Sequence, residues 1–524
     1  SRIVAVDANN VTIKGFLLDG NNPALTSGFT NNVGADMDIR NGIDNAKGIQ
    51  NLRVENNILK NMVYYGVRIQ STTGLSPTAV SSGHEIHNNR FMDMGTYQTV
   101  SGGWGLFGGG VLLQNSHYAK ITNNVMLNVR IGVQLGNFQA ANPNGLFVHT
   151  IDNNQIQARR IGIFYNLLRY SPWTVANNSI TGYSSTDEGT IGGSWRGLRI
   201  TSVGLAGMGN SLFNNNSING SAISNINKEG INVWNVTNNS QPIITGGSIT
   251  GVNTGAILVN HDAGFGNAAD GANATLNNVN ITATGIGVHL LDSPSSTTHA
   301  KVNATVTGVT ISGGVEGIKL EQTATGAVGG SFTNNSISAA AVGINVTRAV
   351  LSATNPLTIT GNTINLTSQI VGVNTPTVGV NLNNITGSEA ATIGGSLLLG
   401  NTITGPFYGY GIFNLNTSPV TTINGGTITG AMQGVAGRNL FPPSTFAPSA
   451  FNVNGITMSG FTGNHPGVTG ANFHAGVYTF TGGPNPANTI TSTISNVNVS
   501  GTGKVAPDCA GLSFADFSTA GSTM

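Results

Sequence analysis

One unit recurs from one end of the chain to the other. It is an Asn-Asn, Gly-Gly or Gly-Asn pair, then a short β-branched strand, then Gly-Ile/Val-x-Val/Leu, as in VENNILKN with YGVRIQ, KITNNVMLN with IGVQLG and FTNNSISA with GINVTR. Counted from Asn57 to Asn496, the spacing averages about 31 residues. A repeat of that length that cannot bury its own apolar face must stack on its neighbours, so the chain reads as a solenoid. Within each unit apolar residues alternate: Val67 and Ile69 point one way, Arg68 and Gln70 the other. This is the period of a strand.

A tight corner between strands needs a residue in the left-handed region, which Gly takes freely and Asn at modest cost. Where Asn recurs at the pair's second position, stacking at about 4.8 Å would let side-chain amides bond to one another. An internal asparagine ladder is expected over Asn57, Asn89, Asn124, Asn154, Asn178, Asn216, Asn278, Asn335, Asn362 and Asn401.

Composition agrees. Of 524 residues 74 are Gly, and charged residues are only 8% while hydrophobic ones hold at 39%, which excludes a disordered polyelectrolyte. The 17 prolines without a three-residue glycine period exclude collagen. A net charge of +1 supplies no basic stripe, so nucleic acid is not an expected partner. No run reaches the ~18 apolar residues of a membrane-spanning helix. The single Cys509 can form no internal disulfide.

The segments ANNVTIKGFLLDG and GIQNLRVENNILKNMVYYGVRI resemble the repeats of the parallel right-handed β-helix, the pectin-lyase-like superfamily, in character nearest to bacterial surface and adhesin-type β-helix proteins. The resemblance covers the whole chain and implies an all-β fold, a single solenoid of about 16 coils rising about 75 Å. It also implies an extracellular or cell-surface protein, bacterial, whose signal peptide has been removed before Ser1.

Residues 1–240 form the more charged and aromatic part, 241–500 a low-charge Thr/Asn/Gly lattice and 501–524 a closing segment. Residues 1–200 alone hold 15 of the 21 Lys+Arg. Long insertions, such as 137–145 and 261–274, leave from one corner and stack into a candidate binding face.

Chemistry is sought on outward positions of adjacent coils. The outward residues of the Gly-Ile/Val strand begin Arg68, Leu112, Gln134, Phe164, Arg199, Asn232 and later include His289, Lys319, Asn345, Asn381 and Phe413, with no pair of carboxylates such as a glycosidase requires. Motifs of polygalacturonases and pectin methylesterases are absent. Resemblance to calcium-dependent lyases would assign Asp36, Asp38 and Asp44 to a calcium ion and Arg53, Arg68 or Arg90 to the base. The residues themselves read as a solvated acidic loop balanced by Arg40 and Lys47, and no cofactor is expected. His84 and His87 read as surface residues, without metal-ligand spacing. Tyr64, Tyr65, Trp104, Phe164, Trp195 and Arg199 are candidates to stack on or bond sugar rings.

The expected function is therefore a non-catalytic, adhesin-like structural protein of the cell surface or a filament. Its expected partners are copies of itself, neighbouring surface proteins or polysaccharide. A polysaccharide lyase or glycoside hydrolase with its site on the N-terminal coils is the alternative.

Overall fold

The computed structural model describes the chain except residues 29, 32, 71–80, 96–107, 137–148, 167–172, 185–193, 204–209, 225, 237–240, 261–271, 293–301, 323–327, 351–356, 368–369, 372–374, 389–395, 414–415, 419, 441–448, 462–473, 484–489, 501–508 and 519–524. The described residues are strands and turns, without a helix. They fall into two compact units, 1–257 with 264–275, and 258–263 with 276–524.

In the N-terminal unit each rung supplies strands to three parallel columns. The first column runs Thr12–Lys14, Arg53–Glu55, Glu85–His87, Lys120–Thr122, His149–Asp152, Trp173–Ala176, Leu212–Asn214 and Ile243–Thr245. The second starts at Leu17–Asp19 and Ile58–Lys60 and continues through Ser179–Gly182 and Ser217–Asn219. The third contains Arg2–Ala5, Ile39–Asn45, Met62–Gln70, Gly109–Gln114, Trp195–Val203 and Lys228–Val236. The C-terminal unit repeats the plan. Its last described strand, Cys509–Ser518, pairs in parallel with His474–Gly483. These are the long parallel sheets of a β solenoid.

Inward positions carry a continuous apolar column, for example Leu59, Phe91, Met126, Ile156, Ile180 and Ile218, all essentially inaccessible. Their burial drives the stacking, because a single rung has nothing of its own to cover this face.

The glycine of each Gly-Ile/Val motif has a steric cause. A Cβ on Gly162 would run into Ile180 Cγ2 and the carbonyl oxygen of Gly197, and one on Gly317 into Ile337 Cγ2 and the oxygen of Gly343. Only a residue without a side chain lets the third column pass this close to the isoleucine of the next rung.

The corner divides its work between the two residues of the pair. The first is left-handed and turns the chain: Asn56, Asn88, Asn123, Asn153, Asn177 and Asn215 have φ of 52–56°. The second points inside. From Asn57 through Asn89, Asn124, Asn154 and Asn178 to Asn216, each Nδ2 donates to Oδ1 of the next at 2.9–3.1 Å. Each backbone N–H donates to that same oxygen at 2.9–3.2 Å. In the C-terminal unit Asn335, Asn362 and Asn401 are joined in the same way at 2.9–3.0 Å. In these Asn-Asn pairs the left-handed conformation belongs to the first residue, whereas in Gly246-Gly247 and Gly425-Gly426 both residues adopt it.

Asn278 corrects the sequence assignment. It is exposed with φ 53°, so it turns the corner, and Val279 holds the buried position. Gly308 and Val309 divide the roles identically.

Candidate functional site

The outward side of the third column concentrates the unusual side chains of the N-terminal unit. Register aligns Asp44 with Arg68, then Leu112, Gln134, Phe164, Arg199 and Asn232.

At its start, Arg68 Nε meets Asp44 Oδ1 at 2.6 Å and Nη2 meets Oδ2 at 3.2 Å, a two-pronged ion pair with side chains only 15% and 6% exposed. Arg2 adds a contact to Asp44 at 3.6 Å. Arg40 lies over the Tyr64 ring, 5.3 Å from its centre. Burial pushes the Tyr64 hydroxyl upward in pKa despite Arg40 and Arg68. Burial, and then the neighbouring Arg68, lowers Arg40.

Four rungs on, the Arg199 guanidinium lies between two aromatic rings, 4.9 Å from the centre of Phe164 and 5.0 Å from that of Trp234, a cation–π sandwich. Burial, followed by repulsion from Arg196, pulls Arg199 down to about 10. Beside it the buried Glu229 accepts from Ser194 Oγ at 2.7 Å, Arg196 Nε at 2.9 Å and Asn232 Nδ2 at 2.7 Å. A carboxylate can be buried when this many donors replace its water.

The C-terminal unit has a separate cluster on the same column. His289 Nε2 lies 3.2 Å and Lys319 Nζ 2.9 Å from the same oxygen of Glu321. Burial and Lys319 lower His289. Burial raises Glu321, but the hydrogen bond and charge of Lys319, with His289, bring it below the usual carboxylate value. Asn345 donates to Glu316 at 3.0 Å, and Asn381 to Asn345 at 2.8 Å. Beyond Asn381 the register places Gly411, not Phe413, in the row.

The lyase-like assignments do not converge. Arg53 lies in the first column, paired with Glu85 at 3.3 Å and Glu55 at 3.6 Å; Arg90 is in the second and Arg68 in the third. Asp36 accepts from Ser27 and Asp38 from the backbone N–H of Asn22 at 2.8 Å, each closing its own loop, while Asp44 is held by Arg68. Among the described residues no three His, Cys, Asp or Glu come together as a metal site.

Two of the proposed sugar-stacking aromatics are covered, Trp195 inside the solenoid and Tyr65 beside the outward Gln134. Tyr65 is inaccessible, its hydroxyl bonded to Gln134, and Trp195 is inaccessible with Nε1 donating to Ala158 O at 3.1 Å. A ring as large as that of Trp195 fills interior space. Tyr64 is half-buried, Phe164 and Arg199 meet as described, and Trp104 lies outside the described residues, as do most of the expected insertions.

His84, expected at the surface, is fully buried. Its Nδ1 accepts from Leu52 N at 3.3 Å, and burial lowers it to about 4. Arg159, also inaccessible, donates to Asn128 and to the carbonyls of Met94 and Gly95 at 2.8–3.1 Å. Glu229 and Trp234 were missed because their partners are a rung away and only register reveals them.

No protein-family model matches the chain, and no curated protein does. Among solved structures it is similar to the crystal structure of the pre-mature bacteriophage phi29 gene product 12, at 12% identity and a TM-score of 0.36. That match covers 94% of this chain and 62% of the other. No helix of the described residues is long and apolar enough to cross a membrane.

Proposed function

We propose that the chain is a non-catalytic, adhesin-like structural protein of the cell surface or a filament. In this reading it is a right-handed, pectin-lyase-like β-helix of about 16 coils, with an asparagine ladder along its interior. The supporting observation is how the early charges are spent: both oxygens of Asp44 are engaged by Arg68, and Arg53 is shared between Glu55 and Glu85. Groups committed to one another hold rungs together and are poorly placed to exchange protons with a substrate. Its partners would be further copies, meeting end to end or laterally, or glycans reached through the Phe164–Arg199–Trp234 sandwich.

The test is electron microscopy of the purified protein. Ordered end-to-end or lateral assemblies support the reading, and dispersed single particles at high concentration count against self-association. The second reading, a polysaccharide lyase or hydrolase, draws support from the gathering of Arg40, Tyr64 and Arg68 around Asp44. It is tested by product formation from acidic polysaccharides, with calcium and with chelator.

A further inference from the structure

The second column of the C-terminal unit presents a long, uncharged outward face of Thr, Ser and Asn. Eight strands, beginning with the first part of Asn280–Asp292 and continuing through Thr310–Ser312, Ser336–Ala339, Thr363–Leu366, Thr402–Thr404, Thr427–Thr429 and Thr457–Ser459 to Asn498–Ser500, pair in parallel with no break in register. Each contributes one central inward residue, Ile in the first six, and two outward ones.

The outward positions make two rows. The first is Asn280, Thr310, Ser336, Thr363, Thr402, Thr427, Thr457 and Asn498, all exposed; the second is Thr282, Ser312, Ser338, Asn365, Thr404, Thr429, Ser459 and Ser500. All are Thr, Ser or Asn, and half are Thr. An ordinary surface is about a quarter to a third charged, so a run of this length would hold about four charged side chains. It holds none. The first-column face of the same unit is interrupted by the exposed Leu399.

We infer that this face binds ice, through a two-dimensional lattice of hydroxyls that orders a layer of water. Parallel strands repeat at about 4.8 Å, and alternate residues along a strand at about 6.7 Å. Two water oxygens bonded to a common third at about 2.75 Å and the tetrahedral angle lie about 4.5 Å apart, and the stacking repeat of hexagonal ice built from that length is about 7.3 Å. The mismatch is about 0.3 Å per rung and about 0.6 Å between the two rows, so the match holds over a few neighbouring rungs at a time. The hydroxyls of Thr310, Thr363, Thr402, Thr427 and Thr457 make no hydrogen bond to protein among the described residues, so they bond to water, whereas Thr282 and Ser312 bond each other at 2.9 Å. An uncharged lattice of water matches an uncharged face. A charged side chain would instead hold its own hydration shell against it. Crystalline polysaccharide is the less suited occupant because the rows hold no aromatic ring for stacking.

The test is partition of the full chain into slowly growing ice, with inhibition of ice recrystallisation as a second readout. The wild-type protein should enter the ice. The double variant Thr402→Tyr/Thr427→Tyr should lose about tenfold or more of that enrichment, with an unchanged melting temperature. Thr305→Tyr, on the first column of the same unit, should keep it. Thr402→Val, which retains shape and methyl, serves if the tyrosines disturb folding, and should lose only part of the effect. Exclusion of the wild-type protein from ice overturns the inference, as does equal loss from Thr305→Tyr, or exclusion from ice together with capture by cellulose or chitin. None of these outcomes depends on whether the protein forms assemblies or cleaves polysaccharide.

Discussion

The side-chain amide of Asn89 donates to Oδ1 of Asn124 at 3.1 Å, and the backbone N–H of Asn89 donates to the same oxygen at 2.9 Å. One buried atom thus closes the turn of one rung and fixes the next rung against it. Its own amide donates to Ile86 O, Thr122 O and Asn154 Oδ1.

Asn124→Ala should therefore cost about 3 kcal/mol, because it orphans several buried polar groups at once. Asn278→Gly, at an exposed left-handed corner, should leave stability unchanged within about 0.5 kcal/mol. Urea denaturation of the two variants checks the division of labour within the pair.

Gly317→Ala should destabilise by about 2 kcal/mol or more, since its Cβ meets a branched side chain and a backbone oxygen that cannot both move. Gly317→Ala combined with Ile337→Ala, which removes the Cγ2 that the new Cβ meets, should cost less than the sum of the two single substitutions. The melting temperatures of the single and double variants decide it.

His84 should make the N-terminal unit sensitive to acid. Its folded value is about 4 against an ordinary 6.5, so the unfolded chain binds the proton first as pH falls. The stabilisation is fully present above about 6.5 and is lost progressively down to about 4, amounting to about 3 kcal/mol. His84→Asn, whose oxygen can still accept from Leu52 N, should flatten the dependence in thermal melts at pH 7.5 to 4.5.

Arg68→Met should cost about 3 kcal/mol by leaving Asp44 buried with only the more distant Arg2. Asp44→Asn should cost less, because an amide still accepts one of the two bonds. If either variant also abolished a measured polysaccharide-cleaving activity with folding intact, the enzymatic reading would gain.

The columns were legible because Gly-Ile/Val-x-Val and the strand after each pair carry their phase openly. The position within the pair was not. Asn277-Asn278 looks like Asn56-Asn57, and the apolar Ile58-Leu59 hides which residue faces inward. The structure supplies the missing rule: the inside position lies two residues before the inward apolar residue, Asn57 before Leu59 and Val279 before Ile281. The aromatic sites were misjudged for another reason. Nothing local distinguishes Trp195 or Tyr65, both inaccessible, from Trp234, which flanks Arg199. The Arg196–Glu229 and His289–Glu321 pairs span a full rung, and only the register of the strands brings them together.

The glycine that makes room for an isoleucine belongs to one rung, and the isoleucine belongs to the next: Gly162 with Ile180, Gly197 with Ile218, Gly317 with Ile337, Gly343 with Ile364. Within each unit this gives the stack the grammar of a chain of links, each closed only by its successor. An excision running from one such glycine to the next leaves every link with a partner, while a cut of any other length sets an isoleucine against a residue that cannot admit it. A protein built this way can change its length in the course of descent by whole rungs and can vary freely only in the segments between columns.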